Sequence, residues 1–319
     1  MNKRVSLIIA MESASVHDLA VPLSSINNQL GVDFREIEVL LIDNGRYQLE
    51  DLEPLRVFNH LTFRYIKPAK IWSWANAFQQ GVMLATGKYV AFLGPNFQFN
   101  AVDVLQQVLQ TITAHPEAQL ISGLLMRQEM NDDRSYAYKV ESANHLLSGR
   151  FINRNLLMQS QIKFEDFGVY TEQYVGQQIE AIAQAPRKLE SVVAVQFMGR
   201  ALPETVLPPQ PETLQLEWVR MMTRFLTRLR SLAPDQYVPT LAKTIVRFYS
   251  QAGGDAAMTA QMAELTAVHA EKWPQIMAFV DDLRVSDLNP AAPWNAAPSR
   301  FNAYLQRISP LTAHVSVNA

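Results

Sequence analysis

No cysteine occurs anywhere in the 319 residues. Disulfides, thiolate metal sites and cysteine nucleophiles are therefore excluded. A basic excess is also missing. Lys and Arg total 28 against 30 Asp and Glu, a formal charge of -2, so nucleic acid is not an expected partner. Long hydrophobic runs are absent as well. The apolar stretch Val5 to Met11 is too short for a signal-peptide core or a bilayer span. The chain reads as soluble and cytoplasmic, without a transmembrane segment, so that any membrane association would be peripheral. The six histidines, at positions 17, 60, 115, 145, 269 and 314, show no ligand spacing and give no reason to expect zinc. There is no internal repeat.

What is present is an alternation of strand and helix patterns. Arg4 to Ala10 is a short continuous apolar run, the mark of a strand buried on both faces. Leu19, Leu23, Ile26 and Leu30 follow at helical spacing. Ile37 to Ile42 reads as a second strand ending in the turn residues Asp43-Asn44-Gly45. Leu61 to Ile66 alternates like a strand. Ser73 is placed to cap a helix with Phe78, Val82 and Ala85 inward and Gly87 as its stop. Tyr89 to Leu93 is another buried strand, followed by a helix from about Ala101 and a strand over Gln119 to Gly123. This order predicts a mostly parallel sheet with helices on both faces. Ligands then bind beyond the carboxyl ends of the strands, which directs attention to the segments after Ile42 and Leu93.

Residues 126–140 are polar and read as a loop. Four prolines between Leu202 and Glu212 read as an exit from the first domain. Beyond Leu214, Trp218, Met221, Met222, Phe225, Leu229 and Leu232 form one apolar helix face. The expected organisation is a first domain over 1–205, a proline-rich linker over 206–213, a helical region over 214–288 and an extended tail over 289–319.

The ordered series resembles the family 2 glycosyltransferases of bacterial surface-polysaccharide and glycopolymer synthesis. Val5-Ser-Leu-Ile-Ile-Ala-Met11 resembles that family's opening strand, and Leu23 to Gln29 its L-x-S-I-x-x-Q helix end. Ile37 to Gly45 is similar to E-I-I-I-V-D-D-G. Gly81-Val-Met-Leu-Ala-Thr-Gly-Lys-Tyr-Val-Ala-Phe-Leu93 is similar to G-I-x-x-A-x-G-x-Y-I-x-F-L and is the most specific stretch. Leu147 to Leu157 looks like G-K-L-F-R-R-x-L-L, and Thr171-Glu-Gln-Tyr-Val175 like E-D-x-x-F. The resemblance implies an α/β fold of the GT-A kind: a Rossmann-like, mostly parallel sheet followed here by a C-terminal helical region. It also implies an inverting transfer from a nucleotide-sugar, of UDP type, to a cell-wall glycan or glycopolymer acceptor.

Such a transfer must neutralise the departing diphosphate, deprotonate the acceptor hydroxyl and hold the nucleobase. The family's D-x-D motif falls on Gly94-Pro95-Asn96, which retains no carboxylate. Asn96 offers one neutral oxygen, a poor donor to a hard cation, so a dedicated metal site is not expected. Any Mn²⁺ or Mg²⁺ would be weakly held with the substrate. The arginine of the family's A-R-N is replaced by Phe78, read as core. Asp43 keeps one acid of the D-D-G turn and Asn44 replaces the other. Both are candidate donor-binding residues, although Asx-Gly is also ordinary turn chemistry. Matching Thr171-Glu-Gln-Tyr174 to E-D-Q-Y places Glu172 at the catalytic carboxylate and makes it the candidate general base, while a shift of one residue places Gln173 there, which cannot take a proton; a helical glutamate is also more often simply solvated. Arg200 follows the strand Ser191 to Gln196, where an arginine often approaches the diphosphate, and it also reads as a surface charge. Asp132-Asp133 reads as a solvated turn. Arg220, Arg224 and Arg228 make a stripe that reads as a solvated face or as a contact to an anionic membrane or polymer.

Two functions of different class follow. One is a transferase with altered, metal-independent chemistry. The other is a non-catalytic homologue, a pseudoenzyme that scaffolds a partner enzyme or glycan. Homo-oligomerisation, as in related glycopolymer transferases, is compatible with either.

Overall fold

The computed structural model describes residues 3–11, 16–44, 49, 51–131, 133–142, 146–159, 162–198, 211–252, 256–287, 289 and 291–310. The chain divides into two compact units, Met1–Leu207 and Pro208–Ala319.

The first unit is built on one sheet. Its strands are β1 (Val5–Ala10), β2 (Ile37–Ile42), β3 (Phe63–Ile66), β4 (Tyr89–Leu93), β5 (Phe97–Phe99), β6 (Leu120–Met130), β7 (Tyr136–Ser142), β8 (Arg150–Asn153) and β9 (Arg187–Met198). They lie in the order β3-β2-β1-β4-β8-β6-β9-β5, with β7 paired to β6. β1, β2, β3 and β4 are mutually parallel, β9 runs parallel to β6, and β8 is antiparallel to both β4 and β6. Every residue of β1, β2 and β4 is buried, as expected of parallel strands covered on both faces.

Alternation along these strands sends residues to opposite faces. Val5, Leu7, Ile9, Tyr89, Ala91, Leu93 and Phe151 share a core with α1 (Val16–Asn27) and α3 (Val104–Ala114). The alternate residues Ile8 and Phe92 meet α2 (Trp74–Leu84): the Phe78 ring lies edge-on to Phe92 at 4.9 Å between centroids. Arg150, next to Phe151, reaches α5 (Thr171–Ile182) through an ion pair with Glu180. α2 and α5 thus cover the face opposite α1 and α3. A short helix, α4 (Arg154–Gln159), follows β8.

The Ser73 cap is present, its side chain accepting from the Asn76 N–H. Three other local expectations are corrected. Gly87 does not stop α2, which already ends at Leu84 with Ala85 extended. Its role is close approach: a Cβ there would lie 2.6 Å from the Ser6 backbone nitrogen and 2.6 Å from its Oγ. Leu30 lies beyond the end of α1 and is exposed. Residues 126–140 are not a loop. β6 continues to Met130 and turns back into β7, because Tyr136, Tyr138 and Val140 alternate in strand fashion with Ala137, Lys139 and Glu141.

A buried charged cluster ties the amino-terminal ends of the strands together. The Glu38 carboxylate, 4% exposed, accepts from Ser6 Oγ and from the backbone N–H and Oγ1 of Thr86. Burial alone would raise its pKa. These hydrogen bonds and the Arg64 guanidinium, 3.5 Å away, overcome that and hold it below the ordinary glutamate value.

The second unit is helical: α6 (Pro211–Leu232), α7 (Pro234–Ala252), α8 (Ala256–Val268), α9 (Trp273–Ser286), α10 (Pro293–Ala296) and α11 (Pro298–Arg307). In α6 the apolar face is buried, from Trp218 through Leu229, while Arg220 and Arg224 are exposed. The tail read as extended holds two helices. Pro293 and Pro298 open them at the first turn, where proline is tolerated because the missing N–H has no intrahelical partner. Among the described residues, no helix is long and apolar enough to cross a membrane.

Candidate active site

The strand order reverses around β1, which has β2 on one side and β4 on the other. In open α/β sheets the crevice beyond the carboxyl ends at such a reversal is where ligands bind. Three segments end there: Met11 after β1, Asp43-Asn44 after β2 and Gly94-Pro95-Asn96 after β4. Asp43 and Gly94 flank Met11 on either side, two strand spacings or about 10 Å apart.

Asp43 is completely buried. Its N–H donates to the Ile66 carbonyl at 3.0 Å, and its Oδ2 accepts from the Tyr65 hydroxyl at 2.6 Å. The Tyr65 oxygen in turn accepts from the Leu49 N–H at 2.8 Å. Burial, together with the Asp43 carboxylate, pushes the Tyr65 phenol up to about 12, so Tyr65 is a hydrogen-bond donor at all working pH values. The Asn44 carbonyl accepts from the Trp72 N–H at 2.6 Å. Tyr65 was not legible as a site residue; its place at the end of β3, beside the end of β2, was the only available signal.

Gly94 to Phe97 form a tight turn, closed by the Phe97 N–H donating to the Gly94 carbonyl at 3.0 Å. Pro95 and Asn96 occupy its central positions, as turn chemistry favours. The Asn96 side chain folds back over Gly94: a Cβ on Gly94 would lie 2.9 Å from Asn96 Oδ1 and 3.1 Å from the Phe97 ring. The turn presents an amide and no carboxylate. Among the described residues no group of three or more His, Asp or Glu side chains could hold a metal. This donor set does not fit a hard divalent cation.

Glu172 opens α5, but it is not a solvated helical glutamate. Its Oε2 accepts from the Leu147 N–H at 3.2 Å, and from the Ser148 N–H and Oγ at 3.4 Å each. Burial raises its carboxyl pKa above the ordinary glutamate value; those hydrogen bonds oppose the rise without cancelling it. Ser148 makes a β-bridge to Phe92, two residues before Gly94. The structure therefore brings Glu172 to the end of β4 beside the turn. Leu147 and Ser148, which hold the carboxylate, were not singled out from sequence, since backbone donors leave no residue-type signature.

Phe78 is core, 1% exposed. Arg200 and Asp132 lie outside the described residues. Asp133 accepts from the Ser135 N–H at 2.9 Å and caps the β6–β7 turn. A separate cavity of about 450 Å³ is lined by Gln119, Asn153, Asn155, Leu156 and Gln159. It lies where β6 begins, at the opposite end of the sheet from the site.

Comparison with known proteins agrees with this geometry. No curated protein sequence matches significantly. Among solved structures, S. aureus TarS residues 1–349 superposes with a TM-score of 0.65 at 14% identity, covering 98% of this chain and 92% of that one. The same protein in complex with UDP gives 0.63 at 14% identity, with the same coverage. The mannosyltransferase PcManGT from Pyrobaculum calidifontis, in complex with GDP-Man and Mn²⁺, gives 0.51 at 14% identity, covering 100% of this chain and 87% of that one. At such identity these likenesses show the fold, which is the GT-A architecture. The sequence model for glycosyl transferase family 2 matches residues 8–176, and the chain belongs to that family.

Proposed function

We propose that this chain transfers a sugar from a nucleoside-diphosphate donor to a hydroxyl of a glycan or glycopolymer, without a carboxylate-held metal and with Glu172 as general base. The observation that carries this reading is the placement of the Glu172 carboxylate, held by the Leu147 and Ser148 N–H groups next to the bridge that joins Ser148 to β4; burial there favours a pKa above the ordinary glutamate value. A general base works best when its pKa is raised towards the operating pH. The donor class is supported by the structural neighbours, TarS in complex with UDP and with UDP-GlcNAc, and PcManGT in complex with GDP-Man and Mn²⁺. In this reading the diphosphate meets the Gly94-Pro95-Asn96 turn, and Asn44 and Asn96 offer neutral hydrogen bonds where relatives would offer carboxylates. Arg200 is the cation assigned to the departing diphosphate. Acceptor attack transfers the hydroxyl proton to Glu172 as the new glycosidic bond forms and the bond to the diphosphate breaks.

The second reading is a non-catalytic homologue that binds a partner or glycan. It is favoured by one observation: the Asp43 carboxylate is already engaged by Tyr65.

The test is transfer or donor hydrolysis with UDP- and GDP-sugars in the presence of EDTA, together with calorimetric binding of UDP and GDP. Turnover in EDTA that falls about 10²–10⁴-fold in Glu172→Gln, the range for loss of a general base, supports the transferase. Nucleotide binding without turnover across the donor panel supports the second reading.

A further inference from the structure

The hairpin of β6 and β7 extends the sheet past the carboxyl ends of the parallel strands and carries exposed apolar side chains. Met130, Tyr136 and Val140 are about half exposed and Tyr138 is 61% exposed. Their register places them together. Tyr136 pairs with Met130, Tyr138 with Gln128, and Val140 with Met126, so all six side chains share one face. β9 adds to the same face, since Gln128 pairs with Phe197 and Met126 with Val195. The Phe197 N–H donates to the Asn96 carbonyl at 2.9 Å. One row therefore runs from the donor turn across three strand spacings, about 15 Å: Asn96, Phe197, Gln128, Tyr138. Leu125 and Ala194, at alternate positions, belong to the core shared with α1 and α3, so the row lies on the other face, the one that carries α5 and Glu172.

We propose that this row is an acceptor track that takes the sugar rings of a glycan chain, a reading that rests on the transferase function proposed above. Tyr138 and Tyr136 present flat apolar rings with a polar hydroxyl, which match a sugar ring's C–H face and hydroxyl rim. Gln128 stands between Tyr138 and Phe197 as a hydroxyl partner. A second copy of the chain fits this surface less well. The four exposed side chains offer roughly 400 Å², judged from the 150–250 Å² an aromatic side chain buries, and a stable interface needs about 800 Å² per partner. β7 is also an edge strand carrying Lys139 and Glu141 in ion pairs on its other face, a feature that discourages strand-to-strand association.

The experiment is saturation-transfer NMR of the full chain with maltoheptaose, cellohexaose and chitohexaose, accompanied by a UDP titration of the same wild-type protein. The variants are Tyr138→Ala, Tyr136→Ala and Tyr138→Phe, each checked by thermal melting. The expected result is binding of at least one oligosaccharide. It weakens at least about fivefold in the alanine variants, the loss of one stacking contact, and survives in Tyr138→Phe. UDP binding with no oligosaccharide binding, or oligosaccharide binding indifferent to both alanine variants, overturns the track and leaves the donor site standing. Binding of neither UDP nor sugar sinks the transferase reading and the track with it. Concentration-dependent self-association of the wild type that Tyr138→Ala abolishes overturns the track in favour of a second copy.

Discussion

Two carboxylates at the same end of the sheet are treated in opposite ways by their neighbours. Asp43 is fully buried under a tyrosine that donates to it; Glu172 is half-buried, and the backbone N–H groups that hold its carboxylate only partly offset its desolvation. Replacing Tyr65 with Phe removes one hydrogen bond to Asp43 and leaves the Leu49 N–H without its acceptor. The expected cost is about 1–3 kcal/mol, the range for an orphaned buried polar group, read by chemical denaturation. Glu172→Gln should behave differently. Because the folded-state pKa is raised, the native protein binds the proton more tightly than the unfolded chain, and this group's stabilising contribution grows as pH falls through that value. A neutral isostere should therefore match or exceed the wild-type melting temperature at neutral pH while losing transfer activity, a trade common at functional sites. Sequence alone indicated Glu172 by resemblance, but not what holds it. Its partners are the main-chain N–H groups of Leu147 and Ser148, and contacts of that kind are set by tertiary approach rather than by side-chain type.

At the level of elements, the strands were the most legible part of the chain. β1, β2 and β4 are continuous apolar runs because both faces are covered. The Ser73 cap and the Phe78–Val82 face of α2 followed from spacing. The β6–β7 hairpin was missed because its inner and outer residues are nearly all polar or exposed, and alternation without burial looks like a loop. The helices at Pro293 and Pro298 are not legible from sequence, because a short proline-flanked segment reads as extended whether its prolines interrupt a helix or open one. Gly87 shows the same gap at another site: it was read as a helix stop, and its real constraint is the contact with β1. Gly87→Ala would press a methyl into the Ser6 and Val5 backbone, whose nearest atoms lie 2.6–2.8 Å away. The Gly87 N–H bond to Ser6 Oγ and the Glu38 cluster would move with it. A loss of about 1–3 kcal/mol is expected from such overpacking, visible as a lower denaturation midpoint with the denaturant slope unchanged.

For the whole molecule, one buried group of the second unit links stability to acid. In the second unit His269 is completely buried, with its Nδ1 2.5 Å from the Tyr237 hydroxyl. The groups around it are Arg230 of α6, which lies over the Tyr237 ring and is ion-paired to Glu271. Burial, reinforced by the Arg230 charge, lowers its pKa from 6.5 to about 4. The unfolded chain takes up a proton near pH 6.5 and the folded one only near pH 4. The contribution is therefore complete above pH 6.5 and is lost as pH falls towards 4, amounting to roughly 3 kcal/mol. Hydrogen-exchange protection factors in α6, α7 and α9, taken relative to the intrinsic exchange rate at each pH, should fall between pH 6.5 and 4.5, and His269→Phe should flatten that dependence. An unchanged slope in the variant would assign the acid sensitivity to other groups.

The last strand of the first unit has a consequence for biosynthesis. Among the described residues β9 is the last strand made, yet it sits inside the sheet between β6 and β5. Until residue 198 has emerged from the ribosome, β5 has no strand partner and the inner edge of β6 is bare. Nascent chains of this length would carry an open template for aggregation and would be natural clients for chaperones. A fragment ended at 176, where the family match ends, would hold the Gly94-Pro95-Asn96 turn and Glu172 but keep that edge open permanently.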